Sequence, residues 1–264
     1  MEDNNIDDSI LYIWKNRTLY IGKYPDITPV TQGASSLIVS IDGTASVTSH
    51  KSQKTTNGRS FLIPAGEPYT IDSRNNRIAH YLLDSYNEDF FRIEQSMKNR
   101  IGNIYTENKR EFVQAAVFEK LITHRSNTIY SESLLNSTVF PSIFESPKRP
   151  STDQRIIKII DLIQKDPTIN YTNKHMANLI NVSEETLMRL FKATTGVTIR
   201  RFRIWRRMFV SAKLLTLGKS TTEAAIGSGF FDAPHFNHAF RDMLGMNPSS
   251  IIQRTKNMEI FVHK

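Results

Sequence analysis

The feature that most constrains this chain is a pattern in its last third. A short helix, a turn and a second helix are followed by a long basic helix, and then the same pattern returns. The first unit reads Lys174–Ile180 as the short helix, Asn181–Val182 as the turn and Ser183–Lys192 as the second helix. Ser183 is placed to cap, with Thr186 at the third helical position and Leu187, Leu190 and Phe191 behind it. Gly196 ends that helix. The long helix runs from about Thr198 to Leu217, where Gly218 stops it. The second unit reads Thr221–Gly227, a turn over Ser228–Asp232, and Ala233–Met243, closed by Gly245. Pro248 opens a last helix, since its missing N–H costs nothing in a first turn. Ahead of the first unit, Thr152 or Asp153 caps a helix carrying Ile156, Ile157, Ile160 and Ile163 that stops near Pro167. A helix-turn-helix presents its second helix to a major groove. A 20-residue helix is about 30 Å long and one turn of DNA about 34 Å, so a spacer helix of this length suits successive groove faces.

The charge supports that reading. Residues 151–264 hold 17 Lys/Arg against 9 Asp/Glu, and residues 1–150 hold 17 of each, so the whole formal excess of +8 lies on the helical part. A polyanion-binding domain concentrates charge in this way, because each phosphate contact releases counterions. An anionic membrane surface is the rival partner on charge alone. No stretch approaches 18 apolar residues without charge, so no membrane span is expected. The start, MEDNNIDDSI, lacks the basic and apolar segments of a secretory signal. The chain has no cysteine, which excludes disulfides and thiolate metal sites. A cytoplasmic protein is the expectation.

Residues 36–83 read differently. Ser36–Ile41, Thr44–Thr48, Ser60–Ile63, Tyr69–Ile71 and Ile78–Leu83 are short strands, separated by Asp42-Gly43, Pro64-Ala-Gly66 and Arg74-Asn-Asn-Arg77. They predict an antiparallel sandwich or small barrel. Helical spacing takes over from Glu107 to His124 and again from Ser131 to Phe144. Residues 147–152, with Pro147 and Pro150 in or beside a polar run, read as a linker. The expected fold class is α+β, with domains at 1–146 and 153–264.

The run from Met176 to Lys192 followed by Gly196, then Arg207, Ala212 and Leu214–Leu215, then Gly229–Phe230, Phe236, Phe240, Gly245 and Pro248, resembles the DNA-binding domain of the arabinose-operon-regulator (AraC/XylS) family. The resemblance covers roughly residues 155–256. It implies a sequence-specific regulator that binds duplex promoter DNA, activates by contacting RNA polymerase, and is not an enzyme. It places the base-facing positions at Glu185, Met188 and Arg189 in the first unit and at Ala233, Pro234 and His238 in the second. Arg189 suits guanine O6 and N7, Glu185 suits cytosine N4, and Ala233 can touch a thymine methyl. Glu184 and Glu185 also suit the positive end of a helix. Weaker readout is expected of the second unit, where many relatives carry a long polar group at the place of His238. Lys192, Arg200, Arg203, Arg206 and Asn237 are the expected phosphate contacts, which position without reading sequence. Arg207 matches a residue used inside the family's fold.

The stretch Phe61–Ile71 resembles a cupin strand-turn-strand, and relatives use such an N-terminal domain for effector sensing or dimerisation. Many carry a His where Tyr69 stands here. His50 and His80 are too widely spaced for a metal centre, and no metal or cofactor is expected. Strand parity nominates Leu37, Val39 and Ile41 or their alternates, with Tyr69, as lining an effector pocket. Some family members bind a fatty acid between their domains. The helices of residues 107–145 are the expected homodimer surface. A cupin enzyme fails for want of metal ligands, and an adaptor that has lost DNA binding is the other alternative.

Overall fold

Twelve strands and nine helices are described in the computed structural model, which covers residues 9–15, 17–23, 29–140, 153–245, 247–249 and 258–263. The period-two segments pair as two sheets. The larger contains β1 (Ile10–Ile13), β2 (Thr18–Lys23), β4 (Ser35–Ser40), β7 (Ser60–Ile63), β9 (Arg77–Leu83), β10 (Met97–Ile101), β11 (Ile104–Asn108) and β12 (Glu259–Val262). Its strand order is β10-β11-β7-β4-β9-β2-β1-β12. The smaller has β3 (Val30–Thr31), β8 (Pro68–Asp72), β5 (Ala45–Ser49) and β6 (Lys54–Gly58), in that order. No pairing joins the two sheets among the described residues, so the domain is a sandwich and not a closed barrel.

Parity decides what each face of β4 meets. Its register against β9 sets Leu37 opposite Tyr81, Ile38 opposite His80 and Val39 opposite Ala79. Leu37 and Val39 belong to a core with Phe118, Leu121 and Leu135, and Ile41 packs against the same cluster. Those partners lie on α2 (Glu111–His124) and α3 (Thr128–Thr138), which cover the outer face of the large sheet. The space between the sheets is filled by the alternate set, with Ile38, Val47, Phe61, Ile63, Tyr69 and Ile78 in one cluster. The expected pocket set is therefore corrected. Leu37, Val39 and Ile41 face the helices, while Tyr69 faces the sandwich interior, and the four do not line one space. Tyr69 donates to Gln32 Oε1 at 2.9 Å, and the His80 ring lies 3.0 Å from Ser36 Oγ. Burial holds the His80 pKa down at about 3, so the ring is neutral.

Several elements of this domain were not legible as strands or helices. They are β1–β2 at the start, the short β3, β6, α1 (Glu88–Ser96) and the β10–β11 hairpin, whose second strand takes the residues just ahead of α2. A further one is β12. It runs parallel to β1, with Ile10 opposite Glu259 and Ile13 opposite Val262. Phe261 stacks on Tyr12 at 4.9 Å, and Arg125 pairs with Glu259 at 2.9 Å. The end of the helical region is thereby stitched to the first strand. The expected linker 147–152 lies outside the described residues, as does most of the helix expected from Pro248.

The helical part follows its apolar spacing. On α4 (Gln154–Lys165), Ile156, Ile159, Ile160 and Ile163 are buried, so Ile159 replaces Ile157 in the expected stripe. Both helix-turn-helix units rest on the sandwich domain. The core of the first includes Ala65, and the core of the second includes Ala34 and Leu82. Gly66 permits one close approach. It holds φ +77, and a Cβ there would come within 2.9 Å of the Gly196 carbonyl oxygen.

Candidate nucleic-acid interface

Local chemistry explains why each unit forms. In the first, α5 (Asn173–Leu179) is capped by Thr172 and α6 (Glu184–Thr195) by Ser183, whose hydroxyl accepts from Thr186 N at 3.2 Å. In the second, α8 (Thr221–Gly227) begins with a capping box between Ser220 and Glu223. Asp232 caps α9 (Ala233–Leu244), accepting from His235 N at 2.7 Å, and Pro234 sits in the first turn. The turns match. Asn181 and Gly229 both take positive φ, at 53° and 85°. Val182 N donates to Ala177 O at 3.1 Å, and Phe230 N donates to Ala225 O at 3.0 Å. Gly196 and Gly245 end the second helices with φ 80° and 73°. One difference stands out: Ser183 follows Val182 directly, whereas Phe231 intervenes between Phe230 and Asp232.

On α6, Glu185, Met188, Arg189 and Lys192 are all exposed and recur at three- and four-residue spacing, so they share one face. Leu187 and Phe191 are fully buried on the opposite side. The structure thus brings together the residues expected to face the bases and one phosphate candidate of the first unit. On α9, Pro234 and His238 are exposed and Ala233 is half-buried, while Phe236, Ala239, Phe240 and Met243 form the buried side. Asn237 is half-buried, and its amide oxygen has no hydrogen-bond partner among the described residues.

The spacer helix, α7 (Ile199–Thr216), departs from expectation. Of its five arginines only Arg200 is exposed. Arg203 donates to Tyr171 O at 2.8 Å, and burial lowers its pKa. Arg207 donates to Pro167 O at 2.8 Å, to Thr168 O at 3.1 Å and to Asn170 Oδ1 at 2.7 Å, which holds the loop between α4 and α5. Arg201 bonds Thr31 O and Asp242, each at 2.8 Å, joining the sandwich, α7 and α9. Arg206 is turned away from solvent altogether. It pairs with Asp84 at 2.6 Å, the two side chains being 5% and 3% exposed, and donates to Tyr86 Oη at 3.0 Å. Phe202 and Phe209 lie against its guanidinium at 5.1 and 5.6 Å. Burial opposes its charge, but Asp84 and Tyr86 outweigh that and keep its pKa above the usual value. Arg203 and Arg206 are therefore corrected from phosphate contacts to contacts within the protein. The flanking Phe202 and Phe209, at four and three residues, were a legible hint for Arg206; its partner Asp84, in the other domain, was not.

Among the described residues, no group of three or more His, Asp or Glu is arranged to hold a metal, and no helix is long and apolar enough to cross a membrane. The site is a pair of exposed helix faces on a double scaffold, the form of a protein that docks two helices into DNA.

Comparison with known proteins agrees with that form. A helix-turn-helix domain model matches residues 176–254. The transcriptional regulatory protein HptR of Staphylococcus aureus is 30% identical over 190 residues, covering 69% of this chain and 73% of HptR. The HTH-type transcriptional regulator YidL of Escherichia coli is 26% identical over 155 residues, 58% of this chain, and the match spans only 52% of YidL. The crystal structure of ToxT from Vibrio cholerae shares the fold, with a TM-score of 0.62 at 14% identity, covering 91% of this chain and 98% of ToxT. The chain belongs to the AraC/XylS-type family of transcriptional regulators.

Proposed function

We propose that this protein is a sequence-specific transcriptional regulator that inserts α6 and α9 into successive major grooves of promoter DNA and activates through RNA polymerase. The observation that carries the reading is the exposed row Glu185, Met188, Arg189 and Lys192 on one face of α6, opposite a fully buried core face. Arg189 and Glu185 read bases, and Lys192 and Arg200 hold phosphates. On α9, His238 is the principal polar reader, with Ala233 and Pro234 beside it and Asn237 toward the backbone. The protein acts in the cytoplasm. Homodimers form through α2 and α3, where Phe112 and Ile129 are 71% and 72% exposed. An effector bound between the domains completes the proposal. The analogy is a V. cholerae ToxT structure with an unsaturated fatty acid bound.

The test is selection from a random duplex library with the full-length protein, followed by affinity titration against salt. An enriched two-part motif is expected, with log affinity falling by about 0.9 per phosphate contact for each log unit of salt. Binding without a motif, or no binding in either presence or absence of an unsaturated fatty acid, overturns the reading. A reporter driven by the selected site separates activation from repression.

A further inference from the structure

Phe231 is the residue by which the second turn exceeds the first, and at 87% it is the most exposed large apolar side chain among the described residues. The fold does not use it. The residue ahead of a helix cap ordinarily packs on the fourth residue of the helix, which here is Phe236. That place is taken by Phe230, 3% exposed, whose ring lies 5.1 Å from Phe236 and 5.4 Å from His235. Phe231 is left standing at the tip of α9, directly ahead of the Asp232 cap and in series with Ala233 and Pro234. This end of α9 is apolar where the matching end of α6 carries Glu184 and Glu185.

An apolar tip on a groove-reading helix has one natural counterpart. The C5-methyl group of thymine is the apolar feature of the major groove, and alanine and phenylalanine are side chains that touch it. The segment that carries Phe231 also carries the chain's whole positive excess, which favours a nucleic-acid partner over an apolar protein surface. Resting on the DNA-binding reading above, we infer that Phe231 contacts a thymine methyl and biases the half-site of the second unit toward thymine. The unit poorer in hydrogen-bonding side chains then reads by apolar contact.

The experiment uses the full-length protein and the duplex it selects. Each thymine of the second half-site is replaced in turn by deoxyuridine, which removes only the methyl. For the wild-type protein, one or two replacements weaken binding about fourfold, what burying one such carbon is worth. Phe231→Ala loses that dependence, Phe231→Leu retains part of it, and Arg189→Ala retains it in full. Three results with Phe231→Ala overturn the inference. Phe231→Ala could match the wild type on every duplex. It could lose affinity yet keep the methyl dependence. It could bind DNA normally while reporter output or self-association falls, which assigns the ring to a protein surface. A wild type that selects a motif but ignores the methyls sinks this inference alone; one that selects no motif sinks the DNA-binding reading with it.

Discussion

The two helix-turn-helix units share a scaffold and differ in surface. Each has capped helices, a positive-φ residue in the turn, a phenylalanine buried late in the second helix (Phe191 and Phe240) and a left-handed glycine at its end. Outward, α6 offers Glu185, Met188 and Arg189, and α9 offers Ala233, Pro234 and His238 behind the extra Phe231. The contrast teaches that the scaffold is specified by a few buried or cap positions, which leaves the exposed ones free to diverge. Even the turns show it. Asn181 is exposed and tolerates a left-handed conformation, whereas a Cβ at Gly229 would fall 2.7 Å from Thr168 Cα in the loop between α4 and α5. The second turn is glycine because it touches that loop.

The largest effect is expected where both units share a support. Arg206→Ala strands Asp84 as an unpaired buried charge, and breaking such a pair costs about 3–5 kcal/mol. A denaturant titration with a loss under 1 kcal/mol would mean that the domains are not held together in solution as they are here. Next comes the turn. Gly229→Ala forces a left-handed alanine against backbone and should cost about 2 kcal/mol or more, against about 1 kcal/mol for Asn181→Ala. Equal thermal shifts for the two would break the claim that only the second turn is hemmed in.

Third is the reading surface. Arg189→Ala should remove about 1–3 kcal/mol of discrimination at one base pair, with His238→Ala removing less, as measured by binding to single-base variants of the selected site. Equal losses would mean that the units read with equal weight. The smallest effects belong to the caps. Ser183→Ala and Asp232→Ala should each cost about 1 kcal/mol of stability, with little change in which sequence is selected. A change of preferred sequence from either would place that cap in the groove.

Caps, turns and helical stripes depend on residues within a turn or two of each other, so a single sequence determines them. The pattern Ser183, Thr186, Leu187, Phe191, Gly196 contains everything needed to place α6. The same holds for the concentration of positive charge on residues 151–264 and for five of the six strands from β4 to β9. Period two shows that the side chains of β4 alternate, but not which set meets helices and which meets a second sheet; α2 and α3 decided that for Leu37 and Val39. A run of five arginines reads as a basic helix, yet Arg206 and Arg207 are bound by Asp84 and by the Pro167–Asn170 loop, partners with no local signature. β12 is a strand because the edge of β1 is there to pair with it, at the other end of the chain. What the sequence determined by itself were the two units, whose caps, turns and apolar spacing are local. Only the tertiary structure decided which charges face solvent and which face was left for a ligand or a partner, because burial is settled by residues far apart in the chain.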